Sequence, residues 1–76
     1  PLHGTVVVGG VTITVEASKD TSKVEFYIDN DLKYTDDTYP FSWFWDERKF
    51  GIHTIKVLGY SQSEKQTDVV SVFKIL

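Results

Sequence analysis

The feature that most constrains the fold is a regular alternation of apolar and polar residues through the stretch 24–57, which turn residues divide into three segments. A repeat of two residues is that of a β-strand, in which successive side chains point to opposite faces of a sheet. No segment shows the 3.6-residue repeat of an amphipathic helix. The sequence therefore predicts an all-β domain, an antiparallel sandwich of about seven short strands with Greek-key connections.

Turn residues place the boundaries of the predicted strands. Gly4 and the pair Gly9-Gly10 bracket a short edge strand, which a tight reversal joins to the next strand. Asn30-Asp31 tolerates the positive φ of a hairpin turn. The predicted strands span residues 5–8, 11–18, 23–29, 32–36, 41–45, 52–60 and 67–75.

The inward side chains predict an interior rich in aromatic rings. Phe41, Trp43 and Trp45 share one face of their strand, which leaves Phe44 on the outer face. Each such ring buries about 150 to 250 Å², which matters in a chain too short to bury a large core. The last strand carries apolar residues on both faces, so its inner face is not assigned. The predicted core consists of Val24, Phe26, Ile28, Phe41, Trp43, Trp45, Ile55 and Val57.

Charge and composition argue against several classes of partner. The chain has 8 basic and 11 acidic residues, a net charge of −3, and its cations are scattered. Nucleic acid and anionic membranes need a concentrated basic face, so neither is a predicted partner. The same balance weighs against an open oligonucleotide-binding barrel, the alternative all-β fold. No apolar run reaches the roughly 20 residues that span a bilayer, which argues against direct membrane insertion.

Residues 1–76 are predicted to form a single domain, because no linker or internal repeat divides them. The chain contains no cysteine, so packing alone must stabilise it, without a disulfide or a thiolate zinc site. It begins at Pro1 rather than Met, and we expect it to be a fragment of a larger protein.

His53 is the candidate for catalysis. It lies at an inward position of its strand, and as a general base it would need Asp46 or Ser42 to complete a triad. The alternative is a packed histidine whose ring nitrogens bond to the backbone. Because the sequence offers no oxyanion hole or Gly-x-Ser-x-Gly nucleophile elbow, we predict no catalytic residue and no enzymatic activity. His3 and His53 do not have the short spacing typical of zinc ligands, so they do not predict a zinc site.

Acidic residues around the predicted hairpin raise the question of calcium, which takes six to eight oxygen ligands. Gathered at one end of the hairpin, they would form a carboxylate cluster. Their spacing matches no known calcium loop, and Asp also forms turns by bonding its own backbone, so we predict neither metal nor cofactor. The residues are Asp29, Asp31, Asp36 and Asp37.

Exposed aromatic rings are the remaining candidates for a ligand or partner contact. Strand alternation leaves Tyr27, Phe44 and Tyr60 on outer faces, where flat rings suit sugar stacking. An apolar residue on an outer face, such as Phe44 or Leu58, would alternatively contact a neighbouring domain.

The order and spacing of several sequence blocks carry a family resemblance. The blocks are VEFYID at 24–29, DDTYPFS at 36–42, WD at 45–46 and GIHTIKV at 51–57, preceded by PLHGT at 1–5 and GVTI at 10–13. Together they resemble the bacterial immunoglobulin-like domains of multidomain secreted and cell-surface proteins. The chain departs from that pattern after Val57, where Gly59-Tyr60-Ser61 replaces the Ala-Tyr-Asp typical of the family.

The resemblance implies an immunoglobulin-like β-sandwich that is extracellular or at the cell surface. It implies a non-catalytic spacer or interaction module, which positions neighbouring catalytic or adhesive domains. The partners would be neighbouring domains of the same polypeptide, and beyond them polysaccharide or another surface protein. The alternative function is that of a carbohydrate-binding module that uses the exposed aromatic residues.

Overall fold

A computed structural model describes residues 5–17, 19–62 and 64–75, which form seven β-strands in two layers. One layer is a five-stranded sheet in the order β1-β7-β6-β3-β4, and the other pairs β2 with β5. The predicted immunoglobulin-like sandwich is confirmed. Within the described ranges, no helix has the length and hydrophobicity needed to cross a membrane. The strands are Thr5–Val8 (β1), Val11–Val15 (β2), Thr21–Ile28 (β3), Asp31–Asp36 (β4), Phe41–Trp45 (β5), Gly51–Ser61 (β6) and Lys65–Ile75 (β7).

The first and last strands pair in parallel, with Thr5 opposite Val72 and Val8 opposite Ile75. All other strand pairs are antiparallel, and β6 lies between β3 and β7. Because β1 and β7 are parallel, both run toward the same end of the sheet, where β1 ends at Val8 and β7 ends at Ile75.

The hairpin that joins β3 to β4 turns at Asp29 and Asn30. Their φ angles are 51° and 70°, the left-handed conformation that two-residue hairpin turns require and that Asp and Asn tolerate. The turn predicted at Asn30-Asp31 is therefore one residue too late, since Asp31 already pairs with Ile28. This shift decides where the side chain of Asp29 points.

Gly9 and Gly10 carry the chain from one sheet to the other and do not close a hairpin between β1 and β2. Gly9 adopts a φ of 71°, which glycine accepts without strain. A Cβ on Gly10 would collide with Cζ of Phe44, because the Phe44 ring fills the space over Gly10. The predicted second strand is also too long, because β2 ends at Val15.

Apolar side chains fill the space between the sheets. Seven of the eight predicted core residues are buried, and Trp43 is half-buried against them. Trp45, Phe26 and Phe41 are the largest of the fully enclosed side chains. The inner face of the last strand, which the sequence leaves open, consists of Val70, Val72 and Lys74.

Candidate functional site

Polar and aromatic side chains gather in two places. The first, here called the end cluster, lies where the β3–β4 turn meets the end of β5 and the start of β6. It comprises Asp29, Lys33, Trp45, Glu47, His53 and Lys74. The second, here called the outer ladder, lies on the outer face of the five-stranded sheet and comprises Lys23, Glu25, Tyr27, Lys56, Tyr60 and Lys65.

In the end cluster, His53 bonds to the hairpin turn. Its Nδ1 lies 2.6 Å from Oδ2 of Asp29, and Oδ1 of Asp29 accepts the backbone N–H of Thr54 at 3.0 Å. The backbone N–H of Asp29 donates in turn to the carbonyl of Thr54 at 2.9 Å. The hydrogen bond from Thr54 is the main cause that lowers the pKa of Asp29, and the bond to His53 lowers it further. The ionised carboxylate thus ties the turn to β6.

The second ring nitrogen of His53 faces the interior. Nε2 is buried and makes no hydrogen bond, and the imidazole meets the indole of Trp45 edge to face with ring centroids 5.9 Å apart. The partners predicted for a triad are elsewhere: Asp46 is exposed, and the backbone N–H of Ser42 donates to Asp36. A general base needs a nitrogen within reach of a substrate proton. Nδ1 is bonded to Asp29 and Nε2 is enclosed, so neither nitrogen of His53 can reach a substrate proton. The alternative prediction, that the ring nitrogens bond to the backbone, is also wrong.

Trp45 connects the end cluster to the core. Its indole N–H donates to Oε1 of Glu47 at 3.1 Å, and Oε2 of the same carboxylate accepts from Nζ of Lys33 at 3.3 Å. This chain of bonds satisfies the one polar group of a side chain that is otherwise fully buried. The end of β5 is thereby joined to β4.

Lys74 is the member of the end cluster that sequence reasoning misses. Although its side chain is charged, the residue is only 1% exposed. Its Nζ donates to the carbonyl of Gly9 at 2.7 Å and lies 5.1 Å from the ring centroid of Trp45. A buried ammonium needs such partners to offset the loss of water. The sequence signal that could have identified Lys74 as buried is its position on the same face of the last strand as Val70 and Val72.

The acidic cluster considered as a calcium site does not form. Asp29 and Asp31 lie at the turn, whereas Asp36 and Asp37 follow at the far end of β4, about 17 Å away along an extended strand. Asp36 instead accepts the backbone N–H groups of Thr38 at 3.1 Å and Ser42 at 2.9 Å. In the described part of the chain, no group of three or more potential metal ligands comes together.

In the outer ladder, Glu25 accepts hydrogen bonds from two tyrosines. The hydroxyl of Tyr60 donates to Oε1 of Glu25 at 2.7 Å, and that of Tyr27 donates to the same oxygen at 2.9 Å. The bond to Glu25 is the main cause that raises the pKa of Tyr60 to about 12 and the pKa of Tyr27 above its ordinary value. The same bond from Tyr60 lowers the pKa of Glu25.

Lysine ammonium groups lie over the rings of both tyrosines. Nζ of Lys23 is 4.7 Å from the ring centroid of Tyr60, and Nζ of Lys65 is 5.8 Å from it. Nζ of Lys56 is 4.7 Å from the ring centroid of Tyr27. These cations occupy space over the flat faces on which a sugar ring would stack.

The three aromatic residues predicted as contacts fall on two separate surfaces. Tyr27 and Tyr60 belong to the five-stranded sheet, whereas Phe44 lies on the β2–β5 sheet and is 56% exposed. The structure therefore does not bring them together into one platform. Leu58, the other predicted contact with a neighbouring domain, is buried in the outer ladder between Glu25 and Thr67, so that interpretation is wrong.

We expect the outer ladder to limit stability at high pH. The pKa of Tyr60 in the folded protein, about 12, lies above the value of about 10 for an unperturbed tyrosine. Its hydrogen bond therefore contributes stability that is fully present below pH ~10 and is lost as the pH rises through ~12. Circular-dichroism melts should show a smaller fall in Tm over this range for Tyr60→Phe than for the parent chain.

Tyr39→Phe is the control for this measurement, because Tyr39 is exposed and is not a partner of Glu25. Its Tm should fall with pH as much as that of the parent chain. An equal fall in Tyr60→Phe would show that the Tyr60–Glu25 bond does not contribute to stability.

Comparison with known proteins gives the family and the fold. The sequence pattern of the bacterial Ig domain family matches residues 1–57. No curated protein sequence matches the chain significantly. Among solved structures, the chain is similar to the fibronectin(III)-like modules of Clostridium thermocellum CbhA, with 27% identity and a TM-score of 0.79. That match covers 100% of this chain and 93% of the module.

A second similar structure is the neutron crystallographic structure of a lytic polysaccharide monooxygenase from Jonesia denitrificans, with 20% identity and a TM-score of 0.74. The match covers 93% of this chain but only 57% of the monooxygenase chain. Likeness at this level of identity shows a shared sandwich fold and nothing about activity. The family resemblance predicted from the sequence is confirmed by the match over residues 1–57: the chain belongs to the bacterial Ig domain family.

Proposed function

We propose that this bacterial Ig domain is a non-catalytic spacer module of a larger secreted or cell-surface protein, and that it positions catalytic or adhesive domains in line. The observation that carries the proposal is the parallel pairing of β1 with β7. The chain enters β1 and leaves β7 in the same direction. Thr5, opposite Val72, begins β1, and Ile75 ends β7; these two ends face opposite directions along the sheet, which favours neighbouring domains in line. In antiparallel end strands both ends would face the same direction.

The shape and packing of the domain suit this role. Its longest dimension is 37 Å, against 19 and 17 Å in the other directions. The strands β6 and β7 have 11 residues each, and at about 3.3 Å per residue each spans roughly 35 Å, close to that length. The aromatic core and the end cluster fix the two layers to each other, so the module can hold its length.

Enzymatic activity finds no support in the end cluster. The His53–Asp29 pair has the partners of a catalytic acid–histidine pair, but the ring nitrogen that would accept a proton is enclosed against Trp45. Ser42, the serine considered for the triad, bonds through its backbone to Asp36. We therefore assign His53 and Asp29 the task of holding the turn against β6.

Deleting the module from its parent protein tests the spacer role. Small-angle X-ray scattering of the intact parent and of the same protein without residues 1–76 gives two maximum dimensions. We expect the deletion to shorten the parent by up to the 37 Å length of the module, and a neighbouring enzyme domain to keep its rate on a small soluble substrate. An unchanged maximum dimension would contradict the proposal.

A carbohydrate-binding module is the second candidate, and the exposed ring of Tyr39 favours it. Tyr39 borders a depression of about 450 Å³ that Ala17, Lys19 and Thr21 also line. Native electrophoresis through gels containing soluble polysaccharides distinguishes the two functions. A spacer migrates unretarded, whereas retardation that Tyr39→Ala abolishes would establish sugar binding at this depression.

A further inference from the structure

Four apolar side chains form an exposed patch on the outer face of the five-stranded sheet, where β7 ends. Ile52 pairs in register with Phe73, and the rings of Phe50 and Phe73 meet edge to face with centroids 5.5 Å apart. Phe50 is 73% exposed and Ile52 is 75% exposed, while Phe73 and Ile75 are more than one-third exposed. These four residues, Phe50, Ile52, Phe73 and Ile75, are here called the apolar patch.

We infer that the apolar patch is the docking surface for the domain that follows β7 in the same polypeptide. The inference rests on the proposed function, because it requires a parent protein in which a further domain follows. It goes beyond the spacer role by assigning the residues through which the module fixes the orientation of its neighbour.

The position of the patch, at the end of the sheet where the chain leaves β7, favours the following domain as its occupant. The chain leaves β7 at Ile75, a member of the patch, and the backbone N–H of Gly9 donates to the carbonyl of Ile75 at 3.0 Å. This hydrogen bond fixes the last residue of β7 at the edge of the patch. On the other side of β7, β1 begins at Thr5, opposite Val72, so its first residue lies three positions farther from this end of the sheet than Ile75 does.

The size of the patch points to a tethered domain and not to a free partner. A whole aromatic side chain has a surface of about 150 to 250 Å², and isoleucine has somewhat less. Multiplied by the exposed fractions of the four residues, these areas give roughly 400 Å² of exposed apolar surface. Stable complexes of separate proteins bury about 800 Å² on each partner. Interfaces between domains of one chain bury about 300 to 750 Å² on each side.

Covalent attachment explains why a patch of this size is sufficient. A short linker keeps the next domain at an effective concentration of about millimolar, so a small interface can be occupied most of the time. A second copy of this chain lacks that advantage, and we expect the isolated domain to be a monomer. The edge-to-face pair Phe50–Phe73 supplies rigid aromatic surface of the kind that is enriched at interfaces.

Cysteine labelling of the parent protein tests the inference, because the module itself has no cysteine. Ile52→Cys places a thiol in the patch, and Leu32→Cys places a control thiol at the opposite edge strand of the same sheet, where Leu32 is 52% exposed. Both variants are labelled with a maleimide, as the isolated chain and within the parent protein, and mass spectrometry locates the label. We expect the patch thiol to react at least about tenfold more slowly in the parent, and the control thiol to react equally in both.

Equal rates for the patch thiol in both settings would overturn the inference and leave the spacer role intact, because the scattering experiment tests that role separately. Protection of the patch thiol in a parent truncated after residue 76 would also overturn it, since the occupant would then be the preceding domain. A second copy of the chain is the remaining possible occupant, and sedimentation equilibrium of the isolated chain tests for it. A dimer that Ile52→Ser dissociates would overturn the inference in favour of a second copy as the occupant.

Discussion

Replacing Trp45 with alanine is expected to remove most of the stability of the domain. The side chain is completely buried between the sheets, and it also holds the carboxylate of Glu47 and the ammonium of Lys74. Truncating a buried tryptophan costs about 3 to 5 kcal/mol, and small domains have only about 5 to 15 kcal/mol in total. Urea unfolding followed by circular dichroism should show a correspondingly lower midpoint.

Trp43→Ala is the matched control for this substitution. Trp43 lies two residues away on the same strand, but it is only half-buried and stacks on Tyr34 with ring centroids 6.3 Å apart. Because less apolar surface is lost, its cost should be clearly smaller than that of Trp45→Ala. A cooperative transition near the parent midpoint in Trp45→Ala, or an equal loss in both variants, would contradict the assignment of Trp45 as the central core residue.

Replacing Lys74 with alanine is expected to have the second largest effect. The substitution removes an aliphatic stem packed in the interior and the contact of the ammonium with Trp45, and the carbonyl of Gly9 loses a donor. Losing these contacts together should cost about 2 to 4 kcal/mol. Most charged residues of a small domain are exposed and change stability by less than about 0.5 kcal/mol when replaced.

Lys74→Met separates packing from charge, because methionine keeps most of the stem and loses the ammonium. Replacing a buried charge by an apolar side chain of similar volume is often close to neutral, so we expect Lys74→Met to lose less than Lys74→Ala. Urea midpoints for the two variants check this order. A parent-like midpoint for Lys74→Ala would mean that the side chain is not buried against Trp45.

The sequence predicts the interior well where one face of a strand is uniformly apolar. Val24, Phe26 and Ile28 alternate with polar residues on β3, and all three are fully buried. On β7 the pattern fails, because Val69 and Phe73 on the outer face are as apolar as Val70 and Val72 on the inner face. The outer apolar residues do not pack into the core of this domain, and periodicity alone cannot distinguish them from core residues.

The candidate site is harder to predict, because its contacts join distant parts of the chain. The inward position of His53 is readable from alternation, but its partner Asp29 comes from a turn 24 residues earlier. A turn placed one residue too late assigns Asp29 to a strand and hides the contact. The calcium hypothesis fails for a different reason: β4 separates Asp31 from Asp36 by its whole length, as the strand predicted over residues 32–36 already implies.

Single-molecule force spectroscopy tests most directly whether the module is built to hold its neighbours in line. When the chain is held by its two ends, the parallel pair of β1 and β7 is loaded in shear, so all its hydrogen bonds resist together. When cysteine handles replace Ile52 and Ile75, the antiparallel pair of β6 and β7 is peeled from one end, one bond after another. We expect unfolding at a clearly higher force in the first geometry. Equal or lower force between the ends would contradict the in-line arrangement.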